Sequence, residues 1–122
     1  MLTIDGQNYN LPVIKLTRKM DFLDKYAQRT ESGDLERELI GVYFNYSLSI
    51  GMGTDPTEYE RLWQKLGEAV EFHEVTVYDN LGTKTFTAYL SNVQDELMRY
   101  KDGKGYFKGL MVNYTAKSPA RT

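Results

Sequence analysis

The chain has 122 residues, a mass of 14.1 kDa and a formal net charge of -2, which suits one small domain and argues against a dedicated nucleic-acid binder. With 41% apolar and 26% charged residues it is neither a disordered tail nor a membrane span, and no apolar run reaches the roughly 20 residues a spanning helix needs. There is no cysteine, which excludes disulfides, thiolate metal sites and thiol chemistry, and the single histidine excludes a multi-histidine metal centre within one chain.

The N-terminus lacks the basic-then-apolar layout of a secretory signal, so a protein made and used inside a cell, or released by lysis, is expected. Residues 1–20 read as a hairpin followed by a strand. Leu2-Thr3-Ile4 and Gln7-Asn8-Tyr9 flank Asp5-Gly6, a dipeptide suited to the positive φ of a type I′ turn. Pro12 then interrupts pairing, and Val13 to Met20 alternates as a strand. Residues 21–37 are dense in charge and lack clean alternation. They are expected to form a long connecting loop that orders against a neighbour.

Residues 38–50 give the clearest strand, with Ile40, Val42, Phe44, Tyr46, Leu48 and Ile50 at period two and a bend expected at Gly41. Residues 55–66 read as a helix. Asp55 or Thr54 caps it, Pro56 fits the first turn, and Glu58 is placed to complete a capping box. Tyr59, Leu62, Trp63 and Leu66 make its core face, and Gly67 is expected to end it in the left-handed conformation. Residues 69–116 read as strand hairpins, with strands over 69–78, 83–90, 92–101 and 106–116 and turns at Asp79-Asn80-Leu81-Gly82 and Asp102-Gly103-Lys104-Gly105. Residues 117–122 form a short polar tail expected to fray. The fold class is therefore mostly β with one helix (α+β), a β-sandwich or partly closed barrel with the helix at its side.

No motif carries catalytic chemistry. Gly51-Met52-Gly53 before a helix lacks the lysine and third glycine of nucleotide-binding loops. His73 sits between Glu71 and Glu74, but a strand sends those carboxylates to opposite faces, so a surface or interface histidine is expected. Lys101, Lys104, Lys108 and Lys117, near Tyr100, Tyr106 and Phe107, could form a modest basic patch. No enzyme, no cofactor and no metal are expected.

Ten tyrosines suit half-buried strands and subunit interfaces. The segment from Asp24 to Gly33, then a long strand, one amphipathic helix, Val70-Glu71-Phe72-His73 opening a strand, and a closing hairpin form an order that resembles a known family. It is similar to the small distal tail proteins of long-tailed bacteriophages and prophages, of the lambda-like minor tail protein M type. Their Tyr-x-Gln-Arg … Gly loop is matched by Tyr26, Gln28, Arg29 and Gly33, and Gly109 to Ala116 is similar to the ending of tail-ring proteins. The resemblance implies a tail-tube-like β-sandwich in a hexameric ring that joins the tail tube to the baseplate or tip. Its partners would be itself, the tail tube, the tape measure and the baseplate hub, with no membrane and no sequence-specific nucleic acid. It would be a virion protein assembled in the bacterial cytoplasm. The segment with Tyr26, Gln28, Arg29, Glu31, Asp34 and Arg37 is the expected subunit contact. The alternatives are another phage ring subunit (tail tube, terminator or connector) or a carbohydrate- or peptide-binding β-sandwich module.

Overall fold

A computed structural model describes residues 2–121; Met1 and Thr122, the outer ends of the expected hairpin segment and tail, lie outside the described residues. The chain is mostly β with a single helix, as its alternation predicts. Seven antiparallel strands form one sheet that does not close into a barrel. In chain order they are β1 (Leu2–Ile4), β2 (Gln7–Tyr9), β3 (Val13–Arg29), β4 (Leu35–Ile50), then helix α1 (Pro56–Leu66), β5 (His73–Asp79), β6 (Gly82–Lys101) and β7 (Lys104–Ala116). The spatial order is β2-β1-β5-β6-β7-β4-β3.

Local chemistry explains the short elements. Asp5 and Gly6 hold φ of 52° and 75°, the positive values a type I′ turn requires. Asp102 and Gly103 repeat this pair at 55° and 76° between β6 and β7. The helix begins where the Asp55 carboxylate accepts the Thr57 N–H at 2.9 Å and Pro56 occupies the first turn. The expected capping box does not form. Glu58 instead accepts the Asn10 N–H at 2.9 Å and pairs with Arg61 at 2.7 Å, so it ties the helix to the chain after β2. Gly67 is not left-handed either; at φ -90° it simply continues the last turn, donating to the Trp63 carbonyl at 3.1 Å.

The sheet curls so that its two halves face each other. Tyr46 of β4 and Phe86 of β6 lie 5.5 Å apart between ring centroids, and Arg18 of β3 reaches Asp79 of β5 at 2.7 Å. Inside this curl Leu2, Ile4, Leu11, Ile50, Val75, Leu110, Val112 and Tyr114 are sealed from solvent. Helix α1 lays Tyr59, Leu62 and Leu66 onto the same cluster, with Trp63 half-buried at its margin.

Three expectations need correction. Residues 21–37 are not a connecting loop: β3 runs straight on through Arg29, and only Thr30 to Asp34 turn before β4 begins at Leu35. Pairing with β4 carries this length, from Asp21 opposite Tyr43 to Arg29 opposite Leu35, through register shifts between Leu23 and Asp24 and between Asp24 and Tyr26. The single strand β6 replaces the two expected on either side of Ser91. Asn92, at φ 54°, is absorbed as a bulge rather than breaking the strand. Finally, the tail does not fray over its described part. Arg121 bridges to Val42, the Val42 N–H donates to the Arg121 carbonyl at 2.8 Å, and Pro119 crosses directly over Gly41.

Candidate subunit interface

Strands β4 and β7 pair only over Tyr46–Ile50 and Leu110–Tyr114. Antiparallel strands that overlap so briefly leave their remaining lengths on opposite sides of the overlap. On one side the β3–β4 hairpin continues past the core to its turn at Thr30–Asp34. On the other, the β6–β7 hairpin continues to its turn at Asp102–Gly103. Two arms therefore leave the body at opposite ends.

The β3–β4 arm is a ladder with little covering it. Every residue from Glu31 to Ile40 is exposed. Phe22, Leu23, Tyr26, Leu35, Leu39 and Ile40 each leave between 44% and 56% of their surface in solvent. Phe22 and Leu23 are adjacent in a strand, so the arm is apolar on both faces. The outer edge of β3 forms one margin of the sheet over its 17 residues. Charged side chains along it are the usual protection of such an edge.

All six expected contact residues sit on this arm, and they divide in two. Arg29 donates to the Gly33 carbonyl at 2.7 Å and closes the turn, and Arg37 pairs with Asp24 while stacking 5.3 Å over the Phe22 ring. These two are spent within the arm. Asp34 also helps to form the turn, its carbonyl accepting the Thr30 N–H at 2.7 Å. Tyr26, Gln28 and Glu31 are exposed.

The β6–β7 arm is anchored by the helix. The Tyr59 hydroxyl donates to Asp95 at 2.8 Å; burial and this carboxylate both push the phenol well above its ordinary pKa, so it stays a donor. Beyond Asp95 the arm carries Leu97, Met98, Tyr100 and Phe107, all at least 40% exposed. Between it and the start of α1 lies a hollow of about 260 Å³ lined by Met52, Pro56, Tyr59, Arg99, Tyr106 and Phe107. The expected basic patch is split. Lys101, Lys104 and Lys108 belong to this arm, whereas Lys117 sits 4.8 Å over the Phe72 ring, near the other end of β7.

His73, expected at a surface or an interface, is 4% exposed, beneath the β1–β2 turn. Its Nδ1 lies 2.7 Å from Asp5 Oδ2, and Asp5 Oδ1 accepts the Glu74 N–H at 2.8 Å. Glu68, rather than Glu71 or Glu74, completes a set of ligand atoms within 4.8 Å of one another. Lys65 Nζ already lies 3.0 Å from both Asp5 and Glu68, so a cation of the chain's own occupies the place a metal would take. Desolvation pushes the Asp5 carboxyl up, but hydrogen bonds from His73, the Glu74 N–H and Lys65 together outweigh it and hold the group at about 2. The arrangement is an ion-pair clasp between the first hairpin, the helix end and β5.

Helix α1 is too short and polar to cross a membrane, and no other helix exists among the described residues. No family model, curated protein or solved structure matches the chain. The arms were not legible as such in the sequence, because a strand bare on both faces has no burial period. The only available signal was the Asp102-Gly103 turn between two alternating runs.

Proposed function

We propose that this chain is a structural, ring-forming subunit of a phage or prophage tail, of the distal tail kind that links the tail tube to the baseplate or tip. The observation that carries the proposal is the bare β3–β4 arm. A two-stranded hairpin is marginal alone in water, yet this one extends past the core with Phe22, Leu23, Tyr26, Leu35, Leu39 and Ile40 half in solvent. A monomer gains nothing from such a surface, whereas a subunit that lays the arm on its neighbour buries it. The order of elements and the match of Tyr26, Gln28, Arg29 and Gly33 to the family's motif supply the tail context. The residues are used for architecture: the one histidine and its carboxylates are tied up in the clasp with Lys65.

The test is size-exclusion chromatography with light scattering over a concentration series, with negative-stain imaging of the largest species. A closed hexameric ring with a central hole is the expected outcome. A chain that stays monomeric throughout, and that also ignores added tail-tube protein, would sink the reading. If such a monomer were instead stabilised by glycans or peptides, the binding-module alternative would take its place.

A further inference from the structure

The two arms differ in charge as well as in direction. Between Met20 and Ile40 there are six acidic side chains (Asp21, Asp24, Glu31, Asp34, Glu36, Glu38) against three basic ones (Lys25, Arg29, Arg37). From Glu96 to Lys108 the balance reverses: Arg99, Lys101, Lys104 and Lys108 stand against Glu96 and Asp102, and Glu96 is already paired with Lys108 across the ladder. Among the described residues, Glu31 and Glu36 on the first arm form no ion pair, and neither do Lys101 and Lys104 on the second. Lys101 and Lys104 are moreover directly opposite each other in the β6–β7 ladder. Like charges in that position repel, a cost that an acidic partner relieves.

We infer that the acidic β3–β4 arm of one copy docks on the basic β6–β7 arm of the next, so that the chain self-associates head to tail. On the first arm Tyr26 shares the face of Glu36 and Glu38, and on the second Tyr106 shares the face of Arg99, Lys101 and Lys104, so the contact sets Tyr26 against Tyr106 among these charges, beside the hollow at the start of α1. The two docking surfaces are different patches at opposite ends of the body, so the contact is heterologous. Such a contact makes a ring if the rotation closes and a filament if it does not. Opposite charges would steer the encounter, and the association would weaken with salt. The inference deepens the ring proposal by naming its interface, and the experiment separates the two.

Two charge-reversed variants test it. One carries Glu31→Lys and Glu36→Lys, the other Lys101→Glu and Lys104→Glu. All four positions are exposed, so both variants should unfold at the wild-type temperature. The wild type should associate in light-scattering titrations at 50 mM NaCl as a buffer of about 14 Å Debye length, and progressively less as salt rises. Each variant alone should need more than ten times the wild-type concentration to associate. Mixed in equal amounts they should associate again, because each reversed arm then meets a complementary one. Association of either variant at the wild-type midpoint, a mixture that stays apart, or a wild type that never associates at low salt would overturn the inference. Rings that ignore both reversals would overturn it and leave the ring reading standing. Filaments that obey the reversals would uphold it and remove the closed ring.

Discussion

The body and the arms are built from the same strands but held by different forces. Leu48 and Ile50 of β4 are buried in the core, while Leu35 and Leu39, earlier in the same strand, are half in solvent. Leu110 and Phe107 show the same change along β7, from sealed to 40% exposed within three residues. In the body, burial of apolar area dominates. In the arms, cross-strand pairing holds a ladder whose apolar residues stay half in solvent. The teaching is that strand length here does not report core size: the part of each long strand that serves folding is its overlap with neighbours on both sides.

The largest expected effect probes the body. Leu62→Ala removes a fully buried side chain from the helix–sheet contact and should cost about 3 kcal/mol in chemical denaturation. Leu39→Ala, the same substitution on the arm, should change monomer stability by less than about 0.5 kcal/mol. Equal losses at the two sites would break the comparison. A junction site sharpens it. A Cβ at Gly41 would meet the Pro119 Cβ at 2.6 Å and the Arg121 carbonyl at 3.0 Å. Gly41→Ala should therefore lift the tail from the root of the arm while leaving the core intact. Amide exchange at Ala120, which donates to the Val42 carbonyl, should speed up about tenfold, or about 1.4 kcal/mol, with little change in the global midpoint.

What could be read beforehand follows the same division. The Asp5-Gly6 and Asp102-Gly103 turns and the Asp55-Pro56 helix start were legible because their causes are local. The core face Tyr59, Leu62 and Leu66 was legible because burial on one side imposes a period. Residues 21–37 read as a loop because no face is buried and charge hides the ladder. Their strand exists only through register with β4. Glu58 could equally have capped its own helix. The Asn10 N–H that wins it is 48 residues away. The Asp5–His73 contact joins residues 68 apart, which no local pattern announces. The six residues expected at a subunit contact all lie on one exposed arm, but Arg29 and Arg37 are engaged within it.

Ion pairs offer a smaller contrast. The folded Asp5 carboxyl titrates at about 2, below its ordinary 3.8. A depressed carboxylate contributes stability that is present above pH 3.8 and is lost as pH falls towards 2. With its side chain 33% exposed, the shift is screened, and Asp5→Asn should cost about 1–2 kcal/mol at pH 7. The difference between wild type and variant should shrink through that acid window in urea titrations and vanish near pH 2. On the arm, Lys25 and Glu38 are 3.9 Å apart and both largely exposed, so Glu38→Gln should leave no measurable mark.

The last contrast carries the opposite sign. Tyr114 is fully buried where β7 lies between β4 and β6, and its hydroxyl has no protein partner. Burial alone pushes that phenol far up, so it remains a neutral group with an unsatisfied donor. Tyr114→Phe keeps the ring in the core and removes the hydroxyl. It should raise stability by about 0.5–1 kcal/mol. Tyr26→Phe makes the same chemical change on an exposed strand and should leave the monomer unmoved. A loss of stability at Tyr114 would mean that an ordered water satisfies the hydroxyl within the core, and the body would then be held at that point by a polar bond as well as by packing.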